Sequence, residues 1–176
     1  MRLFTAVSLT ALALAASPAM AEVPQGTGIF AQPSTLPFQA PDFSKIKDSD
    51  FQSAIEQGIA INLAEIEAVA NNPEAPTFDN TILPLEKSGQ MLDRVNSVFS
   101  ALTSANTNDT LDKIDSDTAP KFAALRDAYL LNAKLFARIK TLYDARASLG
   151  LDADQLQVLT LDYQGMVHNG ANLADA

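Results

Sequence analysis

From Phe51 onward the apolar residues recur every three or four positions, the spacing of an amphipathic helix face, and no stretch alternates as a half-buried strand would. Phe51, Ile55, Ile59, Leu63, Ile66 and Ala70 form one stripe, with Ser53, Glu56, Gln57 and Glu67 on the opposite side. They predict a first helix that starts near Asp48 or Ser49 as N-cap, runs to about Ala70 and stops at Asn71-Asn72-Pro73. Ile61 falls outside the stripe, which predicts a second, smaller contact on the flank of that helix. After Pro76, Thr77 or Asn80 can cap a second helix, with Pro84 tolerated in or near its first turn. Ser88, Leu92, Val95, Phe99 and Leu102 then follow at heptad spacing, the seam of helices packed nearly antiparallel or parallel. Glu86, Gln90, Asp93, Arg94 and Ser97 face away from that seam.

A polar break at Asn106-Thr107-Asn108-Asp109 leads into a third helix carrying Leu111, Ile114, Phe122, Leu125 and Tyr129. Pro120 sits in its middle, where it removes the bond to the Ser116 carbonyl, so a kink or two helices are expected there. Asn132 can cap a fourth helix that buries Leu135, Phe136, Ile139, Leu142 and Tyr143 and stops at Gly150. Asp152 and Gln155 make a capping-box pair that opens a fifth helix through Leu156, Leu159, Tyr163, Met166 and Val167. The fold class is therefore all-α: antiparallel helical hairpins or a bundle of about five helices.

Ahead of the helices lies a different composition. Pro24, Gly26, Gly28, Pro33, Pro37 and Pro41 are too closely spaced for a helix, and they predict an extended Pro-rich arm over 22–47. Its apolar residues Ile29, Phe30, Leu36, Phe38 and Phe43 predict that it lies against a surface. Before it, Arg2, an apolar run from Leu3 to Ala16 and Ala19-Met20-Ala21 have the order of a cleavable signal peptide over 1–21. The run is shorter than the roughly 18 to 20 apolar residues that a bilayer crossing needs. Residues 48–176 are left as the helical domain, in a chain expected to be periplasmic or secreted.

The formal charge of −9 argues against nucleic acid as a partner and, after signal cleavage, against membranes, because a chain this acidic repels phosphate backbones and anionic lipid. Cysteine is absent, so neither disulfides nor thiol chemistry enter, and hydrophobic packing has to hold the fold. The single histidine, His168, cannot by itself build a zinc site, which needs clustered imidazoles or thiolates. The carboxylate pairs Glu65 with Glu67, Asp115 with Asp117 and Asp152 with Asp154 are two residues apart, and on a helix such neighbours diverge. They read as solvated faces or helix-start charges. Lys87-Ser88-Gly89 lacks the preceding glycines of a phosphate loop. The residues thus nominate no catalytic, cofactor-binding or metal-binding position.

The connectors carry more information than the helices. Pro76-Thr77-Phe78-Asp79-Asn80-Thr81-Ile82 followed by Leu85-Glu86-Lys87-Ser88-Gly89 resembles the N-terminal region of the thimet oligopeptidase family of zinc metallopeptidases, nearest to its bacterial peptidyl-dipeptidase branch. Ser34-Thr35-Leu36-Pro37-Phe38, Ala105-Asn106-Thr107-Asn108, Asn132 to Phe136, Leu149-Gly150-Leu151 and Gly170-Ala171-Asn172-Leu173 continue the resemblance in order. Members of that family hold zinc in a His-Glu-x-x-His helix with a downstream glutamate, and the metal-bound water attacks the peptide carbonyl. That motif does not occur here, so no catalytic or metal residue carries over. The resemblance implies a helical segment that helps wall a channel for short peptides. It would be inactive alone, and its partner would be the missing catalytic portion. The alternative is a free-standing periplasmic helical module that binds peptides or a protein without catalysis.

Overall fold

The computed structural model describes residues 23–173. The expected signal peptide over 1–21 lies outside them. Among the described residues the regular structure is helical throughout, in five long helices and one short one. They are α1 (Asp48–Ala70), α2 (Leu83–Glu86), α3 (Gln90–Ala105), α4 (Asp109–Leu130), α5 (Ala133–Ala145) and α6 (Ala153–His168).

Helix α1 begins one residue earlier than its sequence suggests. Lys47, in extended conformation, is the N-cap, and the Asp50 carboxylate three residues on accepts its N–H at 2.9 Å. Asp48 becomes the first helical residue, and its carboxylate accepts the Asn108 side-chain amide at 2.8 Å. Lysine offers no acceptor, so a reading that looks for the cap at the cap position passes over it.

The expected second helix is in fact two. Thr77 caps a wide turn over Phe78–Ile82, exchanging hydrogen bonds with Asn80 in both directions at 2.8 and 3.1 Å. That turn feeds α2, which has Pro84 in its first turn as expected. The chain then breaks at Gly89, whose φ of +74° belongs to the left-handed region that glycine enters freely. Glu65 of α1 fixes the break by accepting the Gly89 N–H at 2.7 Å. Ser88, placed on the seam by its spacing, is therefore a turn residue, and the seam of α3 runs through Leu92, Val95 and Phe99.

Asn132 and the Asp152–Gln155 pair cap their helices as expected, and within the expected polar break Asn108 proves to be the N-cap of α4. The Asn108 side chain accepts from the N–H groups of Thr110 and Leu111, and the Asn132 side chain accepts from that of Leu135. Asp152 and Gln155 exchange hydrogen bonds at 2.9 and 3.1 Å. Gly150, at φ +67°, closes the turn after α5. Helix α4 passes through Pro120 as one continuous helix, so the expected split is not found. Ser116 is exposed, which lets water take the carbonyl that proline leaves unpaired.

Contact registers set the topology. Phe51 meets Phe99, Gly58 meets Leu92 and Glu65 meets Gly89, so α3 runs antiparallel to α1. Asp48 meets Asn108, Glu56 pairs with Lys121 and Glu67 meets Asn132, so α4 runs parallel to α1. Helix α1 is thus the common wall of a three-helix body whose core includes Phe51, Ile55, Ile66, Val95, Phe99, Leu111 and Ile114. Helices α5 and α6 form a hairpin in which the Tyr143 and Tyr163 rings stack at 3.9 Å. Leu156 was expected inward but is 39% exposed, because α6 is an edge helix packed chiefly on α5.

Arg138 joins the hairpin to the three-helix body. It is 7% exposed and donates to the Asn72 and Glu74 carbonyls, Asn80 Oδ1 and Thr81 Oγ1 at 2.8 to 3.1 Å. Those acceptors belong to the connector after α1 and the turn before α2.

Half of the arm packs as expected. Phe30 is buried with its ring 5.6 Å from that of Phe51, and Arg94 donates to the Phe30 and Ala31 carbonyls. Thr27 donates to the Gln57 side chain from both its N–H and its hydroxyl. Gly26 sits against Met91 and Ile61, so the off-stripe contact predicted for Ile61 is made by the chain's own arm. By contrast Ile29, Leu36, Phe38 and Phe43 are exposed.

Two substitutions test this packing. A Cβ on Gly58 would lie 2.9 Å from the Leu92 Cα, a backbone atom that cannot swing aside. Gly58→Val should therefore cost about 2 to 3 kcal/mol in urea unfolding. Arg138→Met should cost about 2 to 3 kcal/mol, because it removes four hydrogen bonds at once, one of them to the buried Thr81 hydroxyl. Its loss should show as earlier melting of the α5–α6 hairpin, read by hydrogen exchange.

Candidate functional site

The acidic pairs singled out by sequence do not converge on a reacting atom. Glu65 holds the Gly89 turn, Glu67 accepts from Asn71 and Asn132, Asp117 pairs with Lys113 at 2.7 Å, and Asp152 caps α6. Those four are engaged by local structure, and Asp115 and Asp154 are exposed. Lys87-Ser88-Gly89 is the turn between α2 and α3, where the Ser88 hydroxyl donates back to the Leu85 carbonyl. His168 is exposed in the last turn of α6. The zinc that the family resemblance implies has no fitting donor set: among the described residues no group of three or more His, Cys, Asp or Glu stands where it could hold a metal ion.

The one chemically distinctive cluster is one that the sequence did not reveal. Where α2, α4 and α6 approach, the Tyr129 hydroxyl donates to Asp162 Oδ1 at 3.2 Å, while Asp162 Oδ2 is buried with no hydrogen-bond partner. Burial, reinforced by the nearby charge of Glu86, pushes the Asp162 carboxyl up from 3.8 to about 6 against the opposing hydrogen bond from Tyr129. The same burial, with the Asp162 charge next in weight, drives the Tyr129 phenol up. Asp162 lies at a neutral-looking position of α6 in sequence, and only the neighbouring α4 makes it unusual. Tyr129 and Glu86 also line an open cleft of about 370 Å³, together with Asn62, Phe122, Leu125 and Arg126. The cleft wall is mainly apolar, and Asn62 Oδ1 is buried there without a partner. This arrangement can hold and release a proton near pH 6. It presents no nucleophile or oxyanion donor opposite the carboxyl, so the geometry is that of a packing site with a strained acid.

A second concavity lies between the arm and α3. It is an open groove of about 600 Å³ lined by Ile29, Pro33, Leu36, Phe38 and Pro41 of the arm and by Val98 of α3.

Comparison with known proteins gives this helical body its setting. Over 142 residues, 81% of its length, the chain is 45% identical to dipeptidyl carboxypeptidase of Salmonella typhimurium. It is 43% identical over 143 residues to dipeptidyl carboxypeptidase of Escherichia coli. The proteins it matches are members of the thimet oligopeptidase family. It spans about a fifth of the length of these relatives, since each match takes up 21% of the longer protein. No model of a known protein family matches the chain. Among the described residues no helix is long and apolar enough to cross a membrane.

The strained acid has a measurable consequence. Because the folded pKa of Asp162 is raised, the folded state holds the proton more tightly than the unfolded chain does. Its contribution to stability is complete below about pH 3.8 and is lost as pH rises through about 6. Asp162→Asn keeps an acceptor for Tyr129 without the charge. It should be about 1 to 2 kcal/mol more stable than the parent at pH 7.5 and close to it at pH 4, read from urea midpoints at the two pH values.

Proposed function

We propose that the chain serves as the N-terminal, channel-wall portion of an exported zinc-dependent peptidyl-dipeptidase, and that it is catalytically silent until joined to the portion that holds the metal. The observation that carries this reading is the identity of 45% over 142 residues to a dipeptidyl carboxypeptidase about five times longer than the matched stretch. Short peptides would meet these helices only within the complete enzyme, where the helices supply shape and exclusion of folded proteins. Their side chains are committed to caps, turns and core, which suits a wall. Export to the periplasm or beyond is supported by Arg2, the apolar run that follows and Ala19-Met20-Ala21.

A second reading, a free-standing helical module that binds peptides or a protein, draws support from the self-contained core. The arm covers Ile61 and Met91, and α1 is covered by α3 and α4 without outside help.

The two readings separate in one pair of measurements. The chain without residues 1–21 should neither hydrolyse a blocked tripeptide nor bind zinc stoichiometrically. Grafted in place of the matched segment of the Salmonella typhimurium relative, it should restore release of dipeptides. Chelator-sensitive hydrolysis by the chain alone, or a soluble graft with no activity, would reject the proposal.

A further inference from the structure

The seam of the α5–α6 hairpin carries a column of rings. Phe136 and Tyr163 lie 5.9 Å apart with their planes 15° from parallel, and Tyr163 and Tyr143 lie 3.9 Å apart with their planes 9° from parallel. The Arg146 guanidinium sits 4.0 Å over the Tyr143 ring, and the same side chain donates to the Tyr143 carbonyl at 2.6 Å. Aromatic pairs ordinarily settle with centroids about 4.5 to 7 Å apart, so the two tyrosine faces overlap more fully than an offset pair does. Phe136 is buried, whereas both tyrosines are half-buried and open to small reagents from solvent.

We propose that Tyr143 and Tyr163 form an oxidative crosslinking site, at which hydrogen peroxide acting through a one-electron oxidant of the haem peroxidase class joins the two rings as dityrosine and staples α5 to α6. Each phenol gives up one electron and its hydroxyl proton and becomes a phenoxyl radical. The radicals pair through a new carbon–carbon bond between ring positions next to the oxygens. The hydrogens on the two joined carbons then move to the oxygens and restore both phenols. The peroxide takes the two electrons and two protons, its O–O bond breaks, and it leaves as two waters, so the chain loses one pair of hydrogen atoms.

Composition directs the oxidant to this pair. The chain has no cysteine and no tryptophan, the side chains that would otherwise yield an electron most readily, and Met91 and Met166 are buried. Of its three tyrosines the third, Tyr129, lies on α4 with its hydroxyl engaged by Asp162. The link would also act where the fold gains from it. Helix α6 is an edge helix packed chiefly on α5, and a bond between residues 143 and 163 closes the loop through Gly150 in the unfolded chain as well, which in a cysteine-free protein no disulfide can do.

The test treats the dilute purified chain with limiting hydrogen peroxide and a haem peroxidase. The expected product is a monomer with dityrosine fluorescence, lighter by one pair of hydrogen atoms, whose digest yields the peptides of Tyr143 and Tyr163 joined. Tyr143→Phe and Tyr163→Phe each keep a stacked ring without the phenol. Either should lower the yield of this monomeric product about tenfold or more, and Tyr129→Phe should leave it unchanged, because stacking supplies the proximity that coupling needs. Hydrogen exchange should show α6 better protected in the linked chain than in the untreated one. Monomeric dityrosine that survives Tyr143→Phe or Tyr163→Phe would overturn the proposal. So would crosslinked dimers as the main product at high dilution, or oxidation that consumes the peroxide and leaves the stacked pair unlinked.

Discussion

One buried guanidinium fixes how the α5–α6 hairpin sits on the other helices. The hydrophobic core is continuous from α1, α3 and α4 into Leu135, Ile139, Leu142, Leu159 and Met166 of the hairpin, and Arg138 adds four directional hydrogen bonds across that junction. All four acceptors are uncharged, so the junction works by geometry: a planar fork matched to two carbonyls, an amide and a hydroxyl. Those acceptors lie in the connector whose shape is set by Thr77 and Asn80. The cap of one turn and the placement of a distant hairpin are therefore one network. Its hydrogen bonds are worth most because Arg138 and Thr81 are out of water, where an unmade bond is costly.

This accounts for the connectors being more informative in the sequence than the helices. An apolar stripe tolerates exchange among residues of similar volume, whereas Pro76 to Ile82 must supply a cap, a reciprocal amide and two acceptors at fixed positions. The helix faces were legible from spacing, and Asn132 and the Asp152–Gln155 pair were legible as caps because their chemistry is local. What spacing could not reveal was any feature decided by a second element. The break at Gly89 needs Glu65 from α1, and the exposure of Leu156 follows from α6 lying at an edge. Arg138 and Asp162 read as ordinary charged positions on amphipathic helices until the neighbouring helix is in place.

The same distinction governs the candidate chemistry. Carboxylates are abundant, yet among the conspicuous pairs Glu65 serves a turn, Glu67 accepts from amides, Asp117 pairs with Lys113 and Asp152 caps a helix. Asp162 is the exception because it faces Tyr129 and Glu86 with one oxygen unserved. An unserved acceptor is a stability defect when this segment is considered alone.

The arm carries the argument one step further. Phe30 and Phe38 are eight residues apart in one Pro-rich segment, and the hydrophobic effect acts on both rings alike. One is buried against Phe51 and the other is held in water by a strained turn. If exposure of Phe38 were mere slack, the backbone would relax to an ordinary conformation, because nothing in the ring's own contacts opposes it. The proline-flanked turn opposes it instead, so the outward position of the Phe38 ring is set by the chain's own backbone.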